Sequence, residues 1–226
     1  MQTVFNYEKV GQKGKIEQFV LLSTSPRRKD LLAFLHPRLS SVEVDERALE
    51  EQFMEVFKED DFLTRAAKVC CEITKAKSDM ELEADTLYIS ADTMVISDGN
   101  IFNKPTDLQE ARQMLYSYFG KSHDVVTAVC LRMQSYLEVF YTVARIEFAP
   151  FYPELEQVVE DYLTIKQPLD KAGAYGFQEL DPRLIKSVTG DIYTIIGLPV
   201  AEVSERIFKT DVPLQDEDKR LENSHI

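Results

Sequence analysis

The chain changes its hydrophobic pattern from that of a strand to that of a helix at one turn. Apolar residues at 19–23 predict a strand, and Ser25 suits the N-cap position of a helix. A proline then takes the first helical position and leucines recur at helical spacing, which predicts a helix over residues 26–35. Alternation over residues 39–44 predicts a second strand. The sequence therefore predicts a β-α-β opening and an α/β fold.

Two arginines occupy the first turn of that predicted helix, where cations are unfavourable. Arg27 and Arg28 lie beside N–H groups that already carry partial positive charge, so an anion opposite them would remove the conflict. A phosphate held by Ser25, the free N–H groups and both guanidinium groups fits that requirement. An isolated Ser-Pro-Arg-Arg segment is more often a pair of solvated arginines, and it also matches a kinase site or a minor-groove contact. The strand-to-helix context favours a folded anion site.

Length and charge limit the kinds of partner that the chain can have. Its 226 residues suffice for one compact domain. The formal net charge of −13 argues against nucleic acid or an anionic membrane as the main partner, because those need an extended basic face. Three cysteines, two of them adjacent, give neither a disulfide framework nor a zinc-ligand spacing. No apolar run approaches ~18 residues, the length of a membrane span, so we expect a cytoplasmic protein without one.

The rest of the chain interleaves helical and strand patterns. Helices are predicted at 46–80 in two pieces, and at 107–119, 153–165 and 200–209. Strands are predicted at 87–89, 94–97, 125–133 and 137–148. The last two are long and adjacent, which favours hairpins and a mixed sheet. We expect a flexible extension over residues 1–18, one domain over 19–212 and a disordered acidic tail over 213–226.

The two most common nucleotide-binding patterns do not occur in the sequence, which has neither a G-x-G-x-x-G turn nor a Walker loop. Phosphate binding must therefore use the arginine turn and its neighbours in the fold. Asp92 lies in strand territory just before a tight-turn signal at Asp98. On its own, an aspartate in such a place is most often a structural hydrogen-bond acceptor.

Five sequence blocks follow one another along the chain. They are LSTSPRR at 22–28 with two leucines after it, VDE at 44–46, ADT at 91–93 with KPTD at 104–107, HDVVT at 123–127, and DKAGAYGFQ at 170–178 with GLP at 197–199. Together they resemble the Maf family of nucleoside triphosphate pyrophosphatases over most of the chain. The resemblance implies an ITPase-like α/β fold, with a mixed, elongated β-sheet flanked by helices and two lobes around a central cleft. It also implies a homodimer.

Within that family, the chain resembles the branch that hydrolyses dTTP and UTP. Thr93 and Gln178 match that branch, and the SPRR turn lacks the extra aromatic residue of the branch that prefers 7-methyl-GTP. The resemblance makes Asp92 the general base and makes Arg27, Thr93 and Gln178 specificity positions. It implies Mg²⁺ or Mn²⁺ held by Glu46 and Asp92. The other implied contacts to substrate or metal are Ser25, Arg28, Lys104 and Lys171.

These residue types suit hydrolysis between the α- and β-phosphates of a nucleotide. Water must attack the α-phosphorus in line, and Asp92 can take its proton. The carboxylates of Glu46 and Asp92 suit a hard divalent cation. The phosphates would be clamped by Arg27, Arg28, Lys104 and Lys171.

Several candidates also have plain structural interpretations. Lys104 and Lys171 could be solvated loop lysines, and Gln178 could either satisfy backbone groups or read the edge of a pyrimidine. Tyr175 could stack on a base, although packing is the more common role. We assign His123 to structure, since the sequence places no nucleophile or metal ligand beside it.

A few positions depart from the family pattern or match it ambiguously. Asn103 stands where glycine is usual, and asparagine tolerates a positive φ. Glu179 stands where glycine is typical, and its charge near a triphosphate could weaken binding or alter base preference. Lys75 matches a family lysine, with Lys68 as the alternative.

The sequence therefore favours a metal-dependent nucleoside triphosphate pyrophosphatase that hydrolyses dTTP or UTP. Modified pyrimidine triphosphates are further candidate substrates, and house-cleaning of nucleotide pools is the implied role. The alternative is a non-catalytic, nucleotide-sensing regulatory protein of the septum-inhibitor type. A third hypothesis, a phosphate-monoester phosphatase, predicts release of orthophosphate instead of pyrophosphate.

Overall fold

A mixed sheet organises the part of the chain that the computed structural model describes, residues 3–209. The strands are β1 (Val4–Gly11), β2 (Gln18–Leu22), β3 (Arg38–Ser40), β4 (Thr86–Ser97), β5 (Asn100–Phe102), β6 (Ser122–Met133), β7 (Tyr136–Phe148) and β8 (Ile185–Thr189). The main order is β1-β7-β6-β4-β2-β3, while β5 pairs with β4 and β8 with β7. β2 is parallel to β3 and β4, whereas β4, β6 and β7 are antiparallel neighbours, which confirms the predicted mixed sheet.

Helices flank this sheet. They are α1 (Pro26–Leu31), α2 (Glu46–Val56), α3 (Phe62–Ala76), α4 (Leu108–Tyr118), α5 (Glu154–Lys166), α6 (Ile192–Ile196) and α7 (Val200–Phe208). Aspartate side chains cap several N-termini by accepting a backbone N–H, as Asp61 does for α3 and Asp107 for α4. The predicted break near residue 60 is confirmed, because α2 ends at Val56 and Asp61 starts a new helix.

The β-α-β opening is present with shorter elements than the sequence predicts. The helix ends at Leu31 and continues as a 3₁₀ turn over Ala33–Leu35, which places Leu32 and Leu35 in the interior. Ser25 occupies the N-cap position, but its side chain makes no capping hydrogen bond. Its backbone N–H instead donates to Ser23 Oγ at 3.2 Å. The turn is therefore fixed by the serine pair and the proline.

Residues 4–11 form an edge strand, which corrects the expected flexible extension over residues 1–18. β1 pairs antiparallel with β7, and Phe5 stacks on Tyr141 with ring centroids 4.9 Å apart. Tyr7 donates a hydrogen bond to Glu72 Oε1 on α3 at 2.6 Å. A bulge in the middle of β1 interrupts the alternation of residues, so the sequence lacks a clear strand signal there. The tail predicted over residues 213–226 lies outside the described residues.

Three clusters of buried side chains join the helices to the sheet. α4 and α5 pack over one cluster, α1 and α7 over a second, and α2 and α3 over a third against β4, β6 and β7. No helix within residues 3–209 is both long enough and apolar enough to span a bilayer. The packing leaves a large cleft beside the middle of β4.

Candidate active site

A cavity of about 1080 Å³ brings the separate sequence blocks together. It is lined by the turn before α1, the start of α2, the middle of β4 and the loops around positions 103 and 171. All but one of the predicted site residues line it: Ser25, Arg27, Arg28, Glu46, Asp92, Thr93, Lys104 and Lys171. Gln178 is exposed and lies outside the lining, although its neighbour Phe177 is part of it.

Asp92 and Glu46 share one ammonium group. Asp92 Oδ1 and Glu46 Oε1 are each 2.7 Å from Nζ of Lys77, the C-cap residue of α3. Burial lowers the pKa of Lys77, but attraction from Asp92 and Glu46 outweighs burial, so the pKa is raised. Lys77 is therefore a fixed positive charge between the two carboxylates.

Lys77 is the site residue that the sequence analysis missed. The lysines considered there point elsewhere, because Lys75 pairs with Glu8 at 2.6 Å and Lys68 with Asp60 at 2.7 Å. The sequence does place Lys77 near the end of a predicted helix. Lysines are common at helix C-termini, so this position does not distinguish Lys77 from other lysines.

A buried thiol contacts the second oxygen of Asp92. Cys70 Sγ lies 3.7 Å from Asp92 Oδ2, and burial raises the pKa of Cys70 well above its usual value. The thiol therefore stays protonated and donates weakly to the carboxylate. The sequence pattern indicated only that Cys70 is a core residue, which it also is. Asp92 is thus held from both sides by residues of α3.

Arg28 is bonded to the walls of the cavity. It donates from Nε to Gly197 O and from Nη1 to Ala91 O, both at 2.8 Å, and from Nη2 to Thr93 Oγ1 at 3.0 Å. These bonds join α1 to β4 and to the end of α6. Arg28 therefore positions the residues beside Asp92, in addition to any contact with substrate.

Thr93 begins a buried chain of hydroxyl groups. Its Oγ1 is 2.9 Å from Thr127 Oγ1, which in turn donates to Thr194 O at 2.7 Å. Because the proton of Thr127 is used in that bond, Thr93 donates to Thr127 and accepts from Arg28. The Thr93 side chain can therefore offer the cavity only an acceptor.

Arg27 and Lys104 are the cavity cations without a partner among residues 3–209. Neither makes a hydrogen bond or an ion pair there, although Arg28, Lys77 and Lys171 all do. Arg27 is partly buried and Lys104 is exposed. An anion that enters the cavity therefore meets two uncommitted positive charges.

Lys171 is almost buried beside the cavity and is flanked by two acids. Its Nζ is 2.8 Å from Asp170 Oδ1 and 3.5 Å from Glu179 Oε2. Gly173 makes this loop possible, since its φ is +70° and a Cβ atom there would come within 2.9 Å of Val95 on β4. The loop therefore lies directly against the strand that carries Asp92.

Asn103 connects two walls of the cavity. Its Nδ2 lies 3.3 Å from Glu50 Oε2 on α2, and its carbonyl accepts from Gly173 N at 3.2 Å. Burial raises the pKa of Glu50. Asn103 does not take the positive φ that the sequence analysis allowed for, and its side chain serves instead as a bridge.

His123 and Tyr175 are packing residues. His123 Nε2 is 2.7 Å from Tyr175 Oη, and both rings pack around Tyr118 in the interior. Burial lowers the pKa of His123 to about 4. The structural assignment of His123 is confirmed, and Tyr175 is a core residue that reaches the cavity wall.

The carboxylates suit a divalent cation only in part. Residues 3–209 contain no group of three or more His, Cys, Asp or Glu side chains arranged for a metal ion. Glu46 and Asp92 nevertheless converge on one cationic position, which the ammonium of Lys77 takes. Mg²⁺ often binds through one or two carboxylates and keeps water and substrate phosphates as its other ligands. The donor set therefore fits such an ion together with a bound phosphate.

The sequences of known proteins match most of this chain. A family model described as Maf-like protein matches residues 18–210. The dTTP/UTP pyrophosphatase of Halalkalibacterium halodurans is 35% identical over 186 residues, 82% of this chain and 92% of that protein. Its counterpart from Bacillus velezensis is 36% identical over 186 residues, covering 82% and 93%. That from Thermotoga maritima is 34% identical over 193 residues, covering 85% and 89%.

Proposed function

Since the chain belongs to the Maf family, we propose that it is a nucleoside triphosphate pyrophosphatase that hydrolyses dTTP or UTP. The bond cleaved is that between the α- and β-phosphates, and the products are the nucleoside monophosphate and inorganic pyrophosphate. The observation that carries the proposal is the convergence on one cavity of Asp92, Lys77 and two cations, Arg27 and Lys104, that lack a partner within residues 3–209. The names of the relatives supply the choice of nucleotide.

In the proposed mechanism, Asp92 accepts a proton from a water molecule while the water oxygen attacks the α-phosphorus. The bond from that phosphorus to the bridging oxygen breaks, and pyrophosphate leaves with the oxygen. Lys77 and Cys70 hold the two oxygens of the carboxylate, which fixes its direction. Arg27 and Lys104 bind phosphate oxygens and stabilise the charge that develops on the leaving group.

Metal dependence is part of the proposal. Mg²⁺ or Mn²⁺ held by Glu46 and Asp92 would withdraw charge from the phosphoryl oxygens. The proposal therefore expects activity to disappear with EDTA and to return when either ion is added back. Activity that is unchanged in EDTA would contradict this part alone.

The test is a product analysis with purified protein and a panel of canonical and modified triphosphates. We expect pyrophosphate from dTTP and UTP, and a loss of turnover of about 10²- to 10⁴-fold for Asp92→Asn. Asp98→Asn is the matched control, because Asp98 is exposed and pairs with Lys121 away from the cavity. Nucleotide binding without any product would favour the regulatory alternative, and orthophosphate would favour a monoesterase.

Substrate range and assembly can be measured in the same preparation. We include modified pyrimidine triphosphates as substrates in the proposal, since they share the ring edge of uracil or thymine. The homodimer implied by the family resemblance is tested by light scattering at several protein concentrations. A monomer at all of them would remove that part of the proposal.

A further inference from the structure

Lys171 is a cavity cation whose charge is already matched by carboxylates. Its side chain is 8% exposed, and its ammonium lies between Asp170 and Glu179, at 2.8 and 3.5 Å. A nearly buried ammonium needs such partners, because removing it from water is unfavourable. A bound triphosphate would need the same ammonium. Substrate and protein therefore compete for one positive charge.

The two carboxylates differ in how strongly they act. The side chain of Asp170 is 66% exposed, so water and salt screen its charge. Glu179 is 33% exposed, and its Oε2 is buried and accepts no hydrogen bond. The nearest compensation for that oxygen is Lys171, at a distance where little water intervenes. Glu179 is therefore the stronger competitor.

The backbone of the loop at Gly176 packs closely against both Lys171 and Glu179. A Cβ atom on Gly176 would come within 3.0 Å of Lys171 Cε and 3.1 Å of Glu179 Oε2, so a side chain at position 176 would push both groups aside. The N–H of Gly176 donates to Tyr162 Oη at 2.9 Å, which fixes that backbone. Lys171 and Gly176 line the cavity, and Glu179 contacts Lys171 from outside that lining.

We propose that Glu179 is an internal competitor of the triphosphate, whose carboxylate holds Lys171 until phosphate oxygens displace it. This inference rests on the proposed function, since it requires an anionic substrate in the cavity that Lys171 lines. The carboxylate weakens binding of every polyphosphate and leaves the chemical step at Asp92 unchanged. Removing the charge at position 179 therefore improves binding, whereas removal of most site residues weakens it.

The test compares charge and shape at position 179. Glu179→Gln keeps the shape and removes the charge, and we expect the KM for dTTP or UTP to fall about 3- to 10-fold with little change in kcat. Glu154→Gln, at the exposed start of α5, is the matched control and leaves both constants unchanged. Lys171→Met should raise KM more in the Glu179→Gln background than in the wild type, because there the ammonium has lost the less screened of its two competing carboxylates.

Each alternative outcome decides against the inference. An unchanged or higher KM for Glu179→Gln overturns it, as does an equal effect of Lys171→Met in both backgrounds. Loss of folding in both Glu179→Gln and Glu179→Ala would assign the carboxylate to stability and overturn it too. Calorimetric titration with inorganic triphosphate measures the same gain in affinity without turnover. A wild-type protein that hydrolyses no triphosphate would contradict the proposed function. The calorimetric titration would still test the role of Glu179.

Discussion

At the scale of single residues, the charged side chains of the cavity differ in whether they already have a partner within the described part of the protein. Lys77 is bound by Glu46 and Asp92, Arg28 is bound by backbone carbonyls, and only Arg27 and Lys104 lack a partner among the described residues. In the sequence alone, these arginines and lysines would be assigned equal roles. Their hydrogen bonds divide them into residues that position the cavity and residues that are free to bind an anion.

Replacement of Lys77 tests its place between the two carboxylates. We expect Lys77→Met to lower kcat about 10²-fold, because Asp92 Oδ1 then loses the ammonium group that fixes the direction of the base. Lys75→Met is the matched control from the same helix end, since Lys75 pairs with Glu8 outside the cavity. Equal losses in steady-state assays of both variants would contradict a special role for Lys77.

Replacement of Arg28 should lower stability, whereas replacement of Arg27 should weaken substrate binding. Arg28→Lys loses the planar fork that reaches Gly197 O, Ala91 O and Thr93, so the free energy of unfolding should fall by about 2–4 kcal/mol. Arg27→Gln should leave stability within ~0.5 kcal/mol and raise KM about tenfold. Urea unfolding and steady-state kinetics separate the two effects. The reverse assignment would follow if Arg27→Gln were the less stable variant.

The sequence predicted which residues line the cavity better than it predicted the contacts between them. Asp92, Glu46 and the arginines are recognisable from their blocks because residue type and order carry that information. The partners of Asp92, however, come from α3, and the angle of a helix against a strand is set by core packing across the sheet. Spacing along the chain does not encode it. The same holds for Glu179, whose effect depends on one interatomic distance.

At the scale of elements, β1 shows that an edge strand can depend on tertiary contacts more than on its own pattern. Long β-branched runs such as β6 and β7 are readable from the sequence, and their predicted positions are confirmed. β1 has a bulge that breaks its alternation, and its stability comes from pairing with β7 and from side-chain contacts to α3. β8 was missed for a related reason, since it pairs with β7 over only a few residues.

Loss of one contact between β1 and α3 should be measurable. Tyr7→Phe removes the hydrogen bond to Glu72, and we expect the free energy of unfolding to fall by about 1–2 kcal/mol. Tyr193→Phe, at an exposed position of α6, is the control and should have no such effect. An unchanged denaturation midpoint for Tyr7→Phe would mean that the hydrogen bond from Tyr7 to Glu72 adds nothing to stability.

At the scale of the whole molecule, one buried imidazole should make folding sensitive to acid. The pKa of His123 is lowered to about 4 by burial, whereas an unfolded histidine has a pKa of ~6.5. Below pH 6.5 the histidine is protonated in the unfolded state but stays neutral in the folded state until the pH approaches 4. The free energy of unfolding therefore declines as the pH falls below 6.5. The loss should reach roughly 3 kcal/mol near pH 4.

Unfolding by urea between pH 7 and 4 measures this decline. His123→Gln should flatten that part of the curve, whatever its effect on stability at pH 7. His36→Asn is the control, because His36 is exposed with φ +48°, a conformation that asparagine tolerates, and the decline should persist. A slope that survives in His123→Gln would assign the acid sensitivity to other groups.

The bonds of Arg28 have a mechanical consequence for the cavity. They make the wall formed by β4 and the end of α6 stiff, whereas α2, whose Glu46 also lines the cavity, contributes no fully buried side chain. Weakly anchored helices open more readily, so amide hydrogen exchange should be faster in α2 than in α3 and should slow when nucleotide is added. One wall would then yield as a ligand enters, while the other keeps its shape. Capture and discrimination would accordingly be carried by different halves of the same cavity.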